Sequence, residues 1–95
     1  MEPFTLALPP DFDDYEGETE AKGYFPEARL SVAGKHYRLT FYDPVRLSQT
    51  IADDLRHGAL FFEANLVVVS AVTRSEMERA VEALIKTQLA NLIAE

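Results

Sequence analysis

The chain has 95 residues with 47% apolar content, sixteen acids against nine lysines and arginines, and a formal net charge of −7, enough for one small domain and too little for two. It has no cysteine, which excludes disulfides and thiolate metal ligands, and no apolar run near the roughly 18 residues of a membrane helix. There is no basic surplus to release counterions from phosphates, so direct nucleic-acid binding is disfavoured, and with no basic start and apolar stretch at the N-terminus the expected setting is the cytoplasm.

The charge is uneven. Residues 1–28 hold eight acids against Lys22 alone, whereas residues 29–95 hold eight acids and eight bases. Within the first segment, DFDDYEGETE packs six carboxylates into residues 11–20 directly behind Pro9-Pro10. Proline, glycine and mutually repelling acids predict a largely irregular acidic arm over residues 1–27 and a folded domain over 28–95. Phe4, Leu6 and Leu8 are the residues able to tack its extreme end onto the body. Asp11, Phe12, Asp13, Asp14, Tyr15 and Glu16 are the candidate partner contacts, since carboxylates interleaved with aromatics can imitate phosphate spacing for a basic, nucleic-acid-binding protein. Solubilising the domain, and docking back onto its own basic residues, are the alternatives for the same stretch.

From Ala28 the pattern alternates. A turn on Gly34-Lys35 would pair Val32 with Tyr37, Leu30 with Leu39 and Ala28 with Phe41 on one face, leaving Arg29, Ser31, Arg38 and Thr40 on the other. Asp43-Pro44 reads as N-cap and first helical residue, followed by Leu47, Ile51 and Leu55 at four-residue spacing and a stop at Gly58. The apolar stretch 59–72 is too long for one strand, and its polar interruption, Glu63-Ala64-Asn65, predicts two strands joined by a turn. Thr73 or Ser75 then opens a last helix whose apolar face carries Met77, Val81, Leu84, Ile85, Leu89 and Leu92. The two halves echo each other at an offset of 30 residues, so the expected fold is a single α+β domain, ββαββα, with a mostly antiparallel four-stranded sheet, two helices on one face and an irregular acidic arm.

Chemical motifs are sparse. A calcium loop starting at Asp11 fails, with Tyr15 at the fifth position, Glu16 where glycine is needed and Lys22 at the twelfth. Asp53 and His57 stand one helical turn apart but lack a third metal ligand, and no serine has a nucleophile-elbow context. Arg29, His36, Arg38 and Tyr42 form a small basic-aromatic patch with too few aromatics for a nucleic-acid stacking surface. The expectation is therefore no cofactor, no metal and no catalysis, but a small acidic interaction module binding a basic protein partner. A homo-oligomeric structural subunit and a small-ligand binder are the competing classes. Self-association is expected through Leu84, Ile85, Leu89, Leu92 and Ile93, which together cover about half the helix circumference.

Overall fold

The computed structural model describes residues 3–87 and 89–95. It is a small α+β domain with a four-stranded sheet and three helices, in the order β1 (Phe4–Ala7), α1 (Phe12–Lys22), β2 (Tyr24–Val32), β3 (Lys35–Tyr42), α2 (Pro44–Arg56), β4 (Leu66–Val68) and α3 (Arg74–Thr87), ending in a 3-10 turn at Leu89–Asn91. The sheet order is β1-β2-β3-β4. The β1–β2 and β2–β3 pairings are antiparallel and β3–β4 is parallel, so the sheet is mixed. This corrects the expected ββαββα arrangement in sheet type, helix count and element order.

The N-terminal segment is the largest departure from the sequence reading. Phe4, Thr5, Leu6 and Ala7 add an edge strand to β2, and Phe12 is a core residue with 0% exposure. The acidic run itself is helical, with non-helical backbone at Tyr15. Local signals for a helix exist there: Asp13 and Asp14 sit in the first turn and Lys22 in the last, as the helix dipole favours, and Gly23 follows in the left-handed conformation with its N–H donating to the carbonyls of Thr19 and Glu20. Helix formation also spreads the carboxylates around a cylinder while Phe12 and Thr19 turn inward.

The hairpin forms with the right faces and a different register. Val32 pairs with Lys35, Leu30 with Tyr37 and Ala28 with Leu39, so the turn falls on Ala33-Gly34, both with positive φ (53° and 76°), as a two-residue turn matching strand twist requires. Shifting by two residues preserves the side-chain alternation, which is why the core residues were legible although the turn was not. A bulge opposes Pro26-Glu27 to Thr40 and reverses the phase of β2, which is how both Phe25 and Ala28 reach the same buried face.

That first face is the core. Phe25, Ala28, Leu30, Val32, Tyr37, Leu39, Phe41 and Val69 pack with Val72, with Phe12 of α1 and with Met77 and Val81 of α3. The second face carries Tyr24, Thr40 and Tyr42, and α2 lies on it with Arg46 stacked 5.2 Å over the Tyr24 ring. The helices therefore flank the sheet on both sides, because β3 and β4 run parallel and the chain needs a crossover segment between them. Residues 59–63 form no strand; the turn at Ala64-Asn65 is present, with Asn65 at φ 54°.

Asn65 joins two pieces of chain along one edge of β3. Its amide nitrogen donates to the carbonyls of Arg38 (3.0 Å) and Ile93 (2.8 Å), while its oxygen accepts from the Ile93 N–H (2.8 Å). β4 covers β3 at Thr40–Tyr42, and the residues after the 3-10 turn cover it further back, through a bridge between Tyr37 and Ala94 and a bond from the Glu95 N–H to the His36 carbonyl.

The α1–α2 junction gives a first expected outcome. Gly23 has φ +69°, and a Cβ there would collide with the Asp43 carboxylate, which caps α2 by accepting from the Arg46 N–H (2.7 Å). Gly23→Ala is expected to lower unfolding free energy by about 2 kcal/mol or more. Gly17→Ala, inside α1 with open space at the Cβ position, is expected to raise it by about 0.5–1 kcal/mol. Urea denaturation of both variants reads the two signs.

Candidate interaction surface

The acidic segment uses its central charges on its own domain. The Asp13 carboxylate accepts from Nε and Nη2 of Arg74 (3.1 and 2.9 Å), the Glu16 carboxylate accepts from the Arg74 backbone N–H (2.6 Å), and the Arg74 guanidinium lies 5.4 Å over the Phe12 ring. Arg74 is the first residue of α3, so Glu16 reaches across to a helix N-terminus that Thr73 also caps by accepting from the Glu76 N–H. Phe12 meets Phe25 and Tyr15 edge-on at 5.2 and 5.6 Å. Of the six expected partner contacts, Phe12, Asp13, Tyr15 and Glu16 are thus engaged in the fold. Asp11 and Asp14 face solvent, as do Glu18 and Glu20 further along α1. The docking site of the segment is Arg74 and not the Arg29/Arg38 pair, because Phe12 commits α1 to the first face while Arg29 and Arg38 lie on the second.

The five expected self-association residues are split. α3 stops at Thr87, and after the 3-10 turn the chain folds back along β3, so Ile85, Leu89 and Leu92 pack against the core. Leu84 is half-buried and Ile93 is exposed.

The basic-aromatic patch is also dispersed. Arg29 Nη1 donates to both carboxylate oxygens of Glu95 (2.9 and 3.1 Å), His36 Nδ1 shares a hydrogen bond with Ser31 Oγ (2.9 Å), and Tyr42 is buried. Arg38 stands between hollows of about 350 and 400 Å3; Arg29 and Glu27 line the first with it, and Glu63 and Glu95 line the second. His57 Nδ1 lies 2.9 Å from the Asp53 carbonyl. Among the described residues no group of three or more His, Asp or Glu side chains is placed to hold a metal ion, and no helix is long and apolar enough to cross a membrane.

A different surface carries the unmet demand for contact. α2 is strongly amphipathic and well delimited: Asp43 caps its start, Pro44 opens it, and the Gly58 and Ala59 N–H groups close it by donating to the carbonyls of Leu55 and Asp54. Yet none of its residues is buried. The cause is how it is anchored. Arg46 is pulled toward β2 by the Tyr24 ring and by the Lys22 carbonyl at the end of α1 (3.2 Å). At 3.6 residues per turn Leu55 lies about 180° around the helix from Arg46, and Ile51 about 140°. Leu47, about 100° from Arg46, and Ile51 are therefore half-buried, and Leu55 is turned out to solvent.

The outer edge of β4 is open. The bonds from the Thr40 N–H to the Asn65 carbonyl and from the Val69 N–H to the Tyr42 carbonyl set the phase of β4. Residues 65, 67 and 69 aim their backbone groups at β3, and Leu66 and Val68 aim theirs outward, where no described residue pairs with them. Large apolar side chains are left exposed along the chain: Val45 is 67% exposed, Leu55 60%, Leu60 77%, Phe62 76%, Val68 46% and Ile93 62%. Sequence periodicity had identified Leu47, Ile51 and Leu55 as a stripe but gave no sign that Leu47 and Ile51 would be covered only in part and Leu55 left exposed.

No known protein family, curated protein or solved structure matches this chain.

Two outcomes test this description. Phe12→Ala should cost about 3–5 kcal/mol, as for a core aromatic, whereas Asp13→Ala, which breaks a largely exposed ion pair, should cost at most about 1 kcal/mol. Melting curves of the two variants separate a docked helix from a dispensable arm. The second concerns Tyr42, whose phenol is pushed above its ordinary value by burial first, then by Glu63 and Tyr24, against the opposing Arg46 and Thr50. Because the folded value is the higher one, its contribution is complete below about pH 10 and is lost as pH rises through the folded value. Tyr42→Phe should reduce the loss of stability measured between pH 9 and pH 11.5 by urea unfolding, where roughly 10 is the unfolded phenol value.

Proposed function

We propose that this protein is a non-enzymatic interaction module that works by associating with other polypeptide chains. The observation that carries this reading is the set of large apolar side chains left exposed between the end of α2 and β4, namely Leu55, Leu60, Phe62 and Val68. Exposed apolar surface on a soluble chain marks contact with a partner. The outward acids of α1, Asp11, Asp14, Glu18 and Glu20, supply a second, polar surface whose negative field favours a basic protein. The two surfaces have different duties: apolar contact provides affinity, and the acidic helix steers association and sets partner preference.

The experiment is capture from the native lysate on immobilised full-length protein at low and high salt. A variant with Asp11→Asn, Asp14→Asn, Glu18→Gln and Glu20→Gln should lose captured basic proteins and flatten the salt dependence, leaving the melting temperature nearly unchanged. A Leu55→Lys, Phe62→Lys variant should lose association between chains. Identical behaviour of both variants and the parent would refute the reading.

A further inference from the structure

We propose that the hollow of about 400 Å3 beside Arg38 and Thr40 binds a small zwitterion, a free amino acid with an apolar side chain, whose carboxylate meets Arg38 and whose ammonium meets Glu63. The inference goes beyond the interaction reading above and does not depend on it.

The hollow is built from three segments. Tyr24, Pro26, Arg38 and Thr40 line it from the sheet, the turn at residues 63–65 from one side, and residues 93–95 from another. Asn65 ties these segments together through its bonds to the Arg38 carbonyl and to the Ile93 carbonyl and N–H, so the walls are fixed before any ligand arrives. The volume lies in the range of roughly 300–1,000 Å3 usual for small-molecule sites.

Three polar groups in it are unused. The chain has six arginines, and five of them engage a carboxylate, a carbonyl or a ring; the Arg38 guanidinium alone has no partner among the described residues. Arg38 also stands directly opposite Arg29 across the β2–β3 ladder, an unfavourable pairing of like charges. Glu95 answers only Arg29. Glu63 makes no hydrogen bond or ion pair with a described residue, although it lines the same hollow as Arg38. Thr40 is only 8% exposed and its hydroxyl is equally unpartnered. Because no fully buried side-chain polar atom among the described residues lacks a partner, that hydroxyl keeps an opening to solvent, and the hollow is the space that Thr40 lines.

A free cation and a free carboxylate that share one hollow without pairing call for a ligand carrying both charges. The planar guanidinium fork suits a carboxylate, while Glu63 and Glu95 oppose a dianion such as phosphate. Arg38 and Thr40, two residues apart on one strand face, stand about 7 Å from each other along β3, and the hydroxyl can donate to the carboxylate or accept from the ammonium. Tyr24, Pro26 and Ile93, the last 62% exposed, offer apolar surface for the ligand's side chain.

Isothermal titration of the full chain with L-leucine and with L-phenylalanine tests the site, and two charge-assisted contacts should give a Kd of about 1 mM or below. Isocaproate, which is leucine without its amine, and isoamylamine, which is leucine without its carboxylate, should each bind about tenfold more weakly or worse. Arg38→Gln, at an exposed position, should weaken leucine by about tenfold or more and leave isoamylamine unaffected, whereas Glu63→Gln should weaken leucine and leave isocaproate unaffected. Thr40→Val should weaken leucine several-fold, with circular dichroism of all three variants matching the parent. Failure of both amino acids to bind at up to about 20 mM overturns the inference. So does leucine binding that is indifferent to Arg38→Gln and Glu63→Gln, or inorganic phosphate binding more tightly than leucine.

Discussion

The contact on which the arrangement depends is the seating of Phe12 between the sheet and Arg74. Phe12 fills the first face against Phe25 and lies under the Arg74 guanidinium, and two carboxylates that follow it in sequence, Asp13 and Glu16, bind the side chain and backbone of that same arginine. An exposed ion pair contributes little alone, typically under about 1 kcal/mol, so the aromatic ring supplies most of the affinity and the charges fix orientation. Once α1 is seated, its C-terminal Gly23 lies against Asp43, whose N–H donates to the Gly23 carbonyl. The start of α2 is thereby tied to the end of α1.

The tie has a consequence on the opposite face of the sheet. Arg46 reaches the Lys22 carbonyl and the Tyr24 ring, which satisfies the end of α1 and draws one flank of α2 toward β2. Leu47 and Ile51 are half-buried in this pose, and Leu55, about 180° around from Arg46, is left in solvent. The polar contacts at the first turn thus bear on how much of the apolar stripe is covered.

Asn65 resolves a comparable problem at the sheet edge. Two unrelated segments share that edge of β3, and where they meet the backbone cannot maintain a ladder. A side-chain amide, with donors and an acceptor at one end, completes the hydrogen bonds of Arg38 and Ile93 where no peptide group is placed to do so. Its positive φ turns the chain into β4 at the same point. An alanine or aspartate could not serve both ends.

The residue pattern alone determined the alternating hairpin and its buried face, α2 with its Asp43 cap and Gly58 stop, the start of α3 to within Thr73 or Ser75, and the turn at Asn65. Each is written in local chemistry: period-two alternation, a capping side chain, a residue that tolerates left-handed backbone. The acidic helix was also partly legible, in the acids of its first turn and the Lys22-Gly23 ending, but its charge density outweighed those signals because only Phe12 and Thr19 are buried and no apolar stripe announces them. The tertiary structure alone decided the rest. That Arg74 neutralises the acidic segment depends on a contact between residues about sixty positions apart, for which no local pattern exists. The pairing of β4 beside β3, and with it the placement of α2 on the second face, depends on which strand edge is free after β1 has taken the other side of β2. The hydrophobic pattern records which residues of a helix are apolar, and only the assembled sheet settles whether anything is there to cover them.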